Sequence, residues 1–218
     1  MSDFDFAVIL NNLPFLWQGL QLSLLLTGLA ILGGIFFGTI LALMRLSGVL
    51  PLSLFAATYV NLIRSVPLIL VIFWFYFLVP LLLGRPIGSF YSALIAFTLF
   101  EAAYFSEIIR AGIQSVRKGQ AHAGQATGLN YWQIQRHIVL PQAFRNMIPI
   151  LVTQGIILFQ DTSLVFVVSL RDFMTVSSIV ARTEGRLVEM YIFAAFVYFV
   201  ICFAGSLFVR HLQKASKA

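Results

Sequence analysis

Residues 19–44 read GLQLSLLLTGLAILGGIFFGTILALM and contain no charged side chain. About 20 mostly apolar residues are enough for a helix to cross a bilayer, so this stretch predicts a membrane-spanning helix. The whole chain of 218 residues has the same character: 60% of its residues are hydrophobic, 10% are charged, and the mean hydropathy is +0.95. Soluble domains carry roughly a quarter charged residues. The composition therefore excludes a soluble enzyme, a disordered chain and a disulfide scaffold, and Cys202, the single cysteine, can form no internal disulfide.

Five segments are predicted to span the membrane, which makes the expected fold class an all-α polytopic membrane protein. The first, third, fourth and fifth are expected at residues 19–44, 91–109, 147–169 and 187–209. The second is expected to start near Tyr59 or Val66 and to end near Val79. The second and fourth are the least regular, because prolines punctuate one and a polar run at residues 160–163 interrupts the other.

The distribution of basic residues predicts the orientation. With the N-terminus outside, ten of the 14 lysines and arginines fall on the cytoplasmic side and four outside, as the positive-inside rule requires. We therefore expect an external segment over residues 1–18, a transmembrane domain over 19–210 and a cytoplasmic tail over 211–218. No basic region precedes the first apolar segment, so no cleavable signal peptide is expected. The net charge of +6 follows from this topology and does not indicate nucleic acid.

The longest polar connection, residues 111–145, is predicted to be cytoplasmic and to form two short helices. Small residues populate the first helix and allow another surface to approach closely. Gly128 lies where a helix ends in a left-handed residue, and Asn130 with Gln133 has the spacing of a capping box. Pro141 is expected to bend or end the second helix.

This loop resembles the permease signature of ATP-binding-cassette (ABC) importers. The resemblance lies in Gly128, nine further residues, and then Ile138, Leu140 and Pro141. The signature opens with Glu-Ala-Ala, and the corresponding residues here are His122, Ala123 and Gly124, so only one alanine is kept. The literal Glu-Ala-Ala at residues 101–103 stands at the wrong distance.

Three other stretches are similar to polar amino acid permeases, and with them the resemblance covers nearly the whole chain. They are residues 59–77, residues 102–120 and the segment FQDTSL at 159–164, in which Gln160 replaces the usual lysine. The sequence is accordingly identified as a member of the polar amino acid ABC importer permeases. That glutamine and the weak Glu-Ala-Ala resemble the glutamate/aspartate branch.

The resemblance implies a type I importer half in the bacterial inner membrane, paired with an identical or homologous permease. It also implies a cytoplasmic ATPase dimer that docks at the loop, a periplasmic solute-binding protein, and glutamate or aspartate as substrate. Glutamine, histidine and arginine remain alternative substrates. ATP is expected to be used by the partner, so this chain would be no enzyme and bind no cofactor. The residues expected to couple to the ATPase are His122, Ala123, Gly124, Gly128, Asn130, Ile138, Leu140 and Pro141.

Polar residues in or beside the apolar segments are candidates for the pathway or for structural roles: Arg64, Glu101, Glu107, Arg110, Gln160, Asp161, Thr162 and Ser163. An intramembrane carboxyl such as Asp161 faces the protein interior. It could line the pathway or brace a helix break, and its charge would repel an acidic substrate. Glu107 and Arg110 share a helix face, which favours an anchoring ion pair over a gate. Arg64 could attract an anionic solute or lipid phosphate, and Glu101 could serve the pathway or packing.

Other classes of function have weaker support. The chain has no G-x-x-x-x-G-K-[ST] phosphate loop, and its three histidines lack metal-ligand spacing. An ion-gradient carrier or channel would need no docking loop, and a purely structural subunit would need no polar pathway. Gly34 and Gly38 have the small-xxx-small spacing of packed membrane helices.

Overall fold

A computed structural model describes residues 5–217, and this part of the chain is helical with short connections. The long helices are α1 (Ala7–Leu46), α5 (Ser89–Gln114), α8 (Leu140–Asp161) and α10 (Leu187–Lys217). The shorter ones are α2 (Leu50–Arg64), α3 (Leu68–Phe73), α4 (Val79–Leu83), α6 (Lys118–Ala126), α7 (Tyr131–Ile134) and α9 (Phe173–Thr183). Two π-helical segments, Trp74–Leu78 and Gln135–Val139, and a 3₁₀ segment, Thr162–Val168, connect some of them.

Within residues 5–217, four helices are long and apolar enough to cross a membrane, and a bent pair brings the total to as many as five. The four are Ala7–Leu46, Ser89–Gln114, Tyr131–Val168 and Leu187–Lys214. They contain the first, third and fifth predicted spans and all of the fourth except Ser169, which confirms an all-α membrane fold.

Of the two starts expected for the second span, the structure agrees with the one near Val66, whereas Tyr59 lies in a separate helix, α2. Instead of one helix, α2 and the segment Leu68–Leu83 form a pair bent by 103°. The break lies at residues 65–67, where Pro67 lacks an amide proton and disfavours helical geometry in the residue before it. With 15 residues, α2 is only about 22 Å long and is too short to cross a bilayer alone.

Helix α1 begins earlier than expected. Residues 7–18, which the sequence placed in an external segment, continue the helix of the first span, while residues 1–4 lie outside the described residues. Val8 and Leu16 in this part are buried in a cluster with residues of α9 and α10. The N-terminal third of α1 is therefore packed against the rest of the fold.

Helices α1 and α5 pack closely through glycines, as the small-xxx-small spacing predicts. A Cβ atom added to Gly34 would lie 2.9 Å from the Cβ of Glu101, and one added to Gly38 would lie 2.9 Å from the carbonyl oxygen of Ala102. Gly28, by contrast, has nothing within 4 Å of such an atom. The packing role of Gly34 and Gly38 is confirmed.

The α9 helix is fixed at its start by Asp172. The backbone N–H groups of Met174 and Thr175 donate to its carboxylate at 2.9 and 3.0 Å, which is N-cap geometry. The N–H of Phe173 donates to the hydroxyl of Ser23 on α1 at 3.1 Å. Burial raises the pKa of the Asp172 carboxyl, and the hydrogen bonds from Thr175 and Met174 oppose that rise.

Candidate functional site

Helices α6 and α7 and the turn over residues 127–130 form a helical hairpin, as the sequence predicts. Gly128 has φ +84°, the left-handed conformation expected at this position. Its N–H donates to the carbonyl of Gln125 at 3.0 Å, and the N–H of Leu129 donates to the carbonyl of Gly124 at 3.1 Å. This pair of bonds is a Schellman motif, which satisfies carbonyls that the end of α6 would leave unpaired.

The start of α7 carries the predicted capping box. The backbone N–H of Gln133 donates to the Asn130 side chain at 3.0 Å, and the N–H of Asn130 donates to the Gln133 side chain at 2.9 Å. The end of α6 and the start of α7 are thus each capped by hydrogen bonds between nearby residues. The turn is therefore specified by the local sequence.

The two arms of the hairpin touch at Gly124. A Cβ added there would lie 2.6 Å from Cδ1 of Ile138 and 3.1 Å from Cγ1 of Ile134. Gly124 and Ile134 are buried and Ile138 is half-buried. The small residue at position 124 therefore serves close packing within this chain.

The second arm does not end at Pro141. It continues from Tyr131 through α8 as one long apolar helix, so of the two outcomes expected at this proline, a bend or an end, the helix end is wrong. A proline ring clashes with the carbonyl four residues earlier, here that of His137. That residue lies in the π-helical segment Gln135–Val139, where the wider turn accommodates the ring.

Most of the predicted coupling residues are exposed on the hairpin. Exposed members are His122, Ala123, Gly128, Asn130, Leu140 and Pro141. The adjacent rings of Tyr131 and Trp132, which were not singled out from the sequence as docking residues, are 65% and 78% exposed and meet edge-to-face at 5.5 Å. Exposed aromatic side chains are typical anchors of protein interfaces.

The base of the hairpin is tied to the neighbouring helices. The side chain of Asn146 in α8 donates to the hydroxyl of Ser115 just after α5 at 2.7 Å. A Cβ added to Gly112 in α5 would lie 2.9 Å from the Cβ of Met147. We use the term hairpin end for the end of the bundle where α1, α2 and α5 terminate and this hairpin lies.

An ionic cluster also occupies the hairpin end. Glu107 forms ion pairs with Arg45 of α1 and with Arg110, whose Nη2 lies 2.7 Å from Glu107 Oε2, and Arg64 of α2 lies 4.0 Å from the same oxygen. The expected Glu107–Arg110 pair is confirmed. The contribution of Arg45 was missed, although its position at the end of the first span was a signal for it.

Glu101 has a partner that the sequence did not identify. Its side chain is fully buried, and the side-chain amide of Gln154 in α8 donates to both carboxylate oxygens at 3.2 Å. Gln154 precedes Asp161 by seven residues, which is two helical turns, so the two share a face of α8. The seven-residue spacing of Gln154 and Asp161 was the signal in the sequence that Gln154 lies on a polar face of the helix.

The polar run at residues 160–163 does not form one site. Asp161 is half-buried on the face of α8 that also carries Gln154, whereas Gln160 and Ser163 line a cavity of about 370 Å³ with Tyr191 and Tyr198. The hydroxyl of Thr162 donates to the carbonyl of Phe159 at 2.7 Å. This local bond helps to close α8 where the 3₁₀ segment begins.

No arrangement suited to a metal is found in the part of the chain that the structure describes. Across residues 5–217, no three His, Cys, Asp or Glu side chains lie close enough together to hold an ion. The hairpin, the ionic cluster and the polar faces of α5 and α8 offer groups that can bind and position other molecules.

Comparison with known proteins assigns this fold and its hairpin to a family of transport components. Residues 34–217 match the family of binding-protein-dependent transport system inner membrane components, and the chain belongs to this family. It is 50% identical over 221 residues to the glutamate/aspartate import permease protein GltK of Escherichia coli O157:H7, an alignment that covers 98% of this chain and 99% of that protein.

Other relatives carry different names on the same architecture. The arginine transport system permease protein ArtQ of Bacillus subtilis (strain 168) is 34% identical, with 90% of each chain covered. The crystal structure of an amino acid ABC transporter with histidines superposes with a TM-score of 0.91 at 31% identity, covering 97% of this chain and 98% of that one. The fold is therefore that of an amino acid ABC permease of the inner membrane.

Proposed function

We propose that this permease imports glutamate and aspartate. The observation that carries the proposal is the 50% identity to GltK over almost the full length of both chains. ArtQ, whose name specifies arginine, is 34% identical. The identity to the glutamate/aspartate permease is therefore higher than the identity to the arginine permease, and this difference supports the substrate.

The hairpin supports a coupling mechanism with a separate ATPase dimer. Its exposed aromatic pair and its locally capped turn offer a rigid docking surface, and its second arm runs without a break into α8. Closure of the ATPase dimer by ATP would shift the permease toward its outward-facing state, because ATP binds one conformation better than the other. This chain would supply the pathway and bind no cofactor itself.

The proposed topology places the hairpin end in the cytoplasm and the N-terminus outside. The basic residues support this orientation. An external binding protein would deliver the amino acid, and a second permease, identical or homologous, would complete the pathway. Glu101, held by Gln154, then has a bracing role, since a bare carboxylate would repel an acidic substrate.

The test is ATP-dependent uptake of labelled glutamate into liposomes. The permease is reconstituted with the ATPase and binding protein encoded beside it, and unlabelled aspartate, glutamine, arginine and histidine compete. Competition by aspartate above the others supports the proposal. Uptake that follows another amino acid refutes the substrate, and a complex that assembles and hydrolyses ATP without any uptake points to a required second permease. Failure of the ATPase to bind contradicts the role of the hairpin.

A further inference from the structure

Arg64 differs from the two other arginines of the ionic cluster. Arg45 and Arg110 each pair directly with an oxygen of Glu107, whereas Arg64 is 4.0 Å from Oε2. The side chain of Arg64 is 41% exposed, against 17% for Arg45 and 27% for Arg110. Of the three guanidinium groups, that of Arg64 is the least paired and the most accessible.

An aromatic ring orients Arg64 without occupying its hydrogen-bond donors. The guanidinium carbon lies 5.0 Å from the centroid of the Tyr104 ring, one turn before Glu107 on α5, at the distance of a cation–π contact. A guanidinium has five N–H donors in a planar fork that matches a carboxylate. The Arg64 fork is thus held in place while its donors remain available to a ligand.

The charge of the cluster favours an anion. Three guanidinium groups face one carboxylate, so the partly buried cluster has a surplus of positive charge. Such a surplus attracts a negative group, and attraction is stronger where solvent is partly excluded. Every amino acid carries an α-carboxylate, and glutamate and aspartate carry a second.

We propose that Arg64 binds a carboxylate of the transported amino acid at the hairpin end of the pathway, with Tyr104 and Glu107 as positioning residues. Arg64 is the last residue of α2, at the 103° bend that leads to α3, where a helix rearrangement would move it. Glu107 gives the guanidinium an alternative partner when the ligand leaves, which prevents tight trapping. This inference rests on the proposed amino acid transport and holds for any amino acid substrate.

Binding is measured directly on the purified complex of permease and ATPase, without the binding protein, by equilibrium dialysis with labelled glutamate. We expect Arg64→Gln to weaken binding by about tenfold or more, because a charge-assisted pair is lost. Arg64→Lys keeps the charge and loses the fork, so an intermediate affinity is expected. Arg85→Gln, at an exposed arginine elsewhere, is the control for net charge and should bind as the wild type does. Wild-type affinity in Arg64→Gln overturns the proposal.

A lipid phosphate is the rival source of the anion, and uptake in two kinds of vesicle separates the two. If Arg64 binds substrate, the uptake defect of Arg64→Gln is equal in zwitterionic vesicles and in vesicles that contain phosphatidylglycerol. A defect confined to the anionic vesicles assigns Arg64 to lipid and overturns the proposal. If the Arg64→Gln complex does not assemble, the glutamate affinity of Arg64→Lys is measured instead. An unchanged affinity in that variant also overturns the proposal.

The same experiment distinguishes failure of the substrate proposal. If the wild-type complex binds another amino acid and no glutamate, the glutamate/aspartate assignment is wrong, and the Arg64 variants are then tested with that amino acid. Loss of its binding in Arg64→Gln supports the carboxylate site independently of which amino acid is transported.

Discussion

Replacing Gly128 by valine tests whether the turn of the hairpin transmits coupling. Gly128 has φ +84°, and nothing lies within 4 Å of an added Cβ, so the cost of the substitution is confined to the backbone. The left-handed conformation costs an ordinary residue about 1–2 kcal/mol, and a β-branched residue is more restricted still. A change of this size alters a conformational equilibrium by a factor of roughly 5–30.

The strain acts on the contacts that define the hairpin. If residue 128 leaves the left-handed region, the two Schellman bonds to Gln125 and Gly124 are lost and the close contact of Gly124 with Ile138 opens. The spans should remain folded, because Gly128 is exposed and contributes nothing to their packing. We therefore expect fewer molecules of glutamate transported per ATP hydrolysed, with thermal unfolding of the complex little changed.

The assay measures uptake and ATP hydrolysis in the same proteoliposomes. The matched control is Gly48→Val, in the connection between α1 and α2, where φ is +71° and nothing lies within 4 Å of an added Cβ. It carries the same strain outside the hairpin, so its ratio of transport to hydrolysis should be normal. A normal ratio in Gly128→Val, or an equal loss in both variants, would refute the coupling role of the turn.

Four further substitutions test the packing and polar contacts. Gly38→Ala should lower stability by about 1–3 kcal/mol, because its Cβ would meet the backbone of α5. Gly28→Ala should be neutral or stabilising by up to about 1 kcal/mol. If the two variants melted at the same temperature, this packing would be contradicted. Gln154→Leu leaves the buried Glu101 carboxyl without its amide partner and should cost about 1–3 kcal/mol, and a melt at the wild-type temperature would show that the contact is dispensable. Asp172→Ala removes the cap of α9 and should cost about 0.5–2 kcal/mol, and unaltered protection of the α9 amides in hydrogen exchange would argue against the cap.

The features that the sequence predicted correctly are those encoded over short distances along the chain. The left-handed Gly128, the capping box of Asn130 and Gln133, and the glycine spacing of α1 each depend on residues a few positions apart. Their backbone requirements are local, so a single sequence specifies them. The apolar spans follow equally directly from composition.

The features that were missed depend on contacts between distant segments. Glu101 and Gln154 are separated by 53 positions, and the spacing of Gln154 from Asp161 indicates a polar face of α8 without identifying Glu101 as its partner. The meeting of Arg45 with Glu107 likewise requires knowledge of how α1 lies against α5. The bend between α2 and α3 was underestimated because a proline predicts a break but does not give its angle.

The second arm of the hairpin continues into α8, so the hairpin and a membrane-spanning helix are directly connected. The sequence alone did not indicate this connection. Pro141 was expected to bend or end the second helix, yet the helix from Tyr131 to Val168 contains 38 residues and is roughly 57 Å long. A hinge would absorb a displacement of the hairpin, whereas a continuous helix passes it along its length. Gln154 lies on this helix and holds Glu101 of α5, so a displacement at the hairpin reaches the polar interior through one continuous helix. We therefore expect coupling to depend on the stiffness of this helix as much as on the docking contact itself.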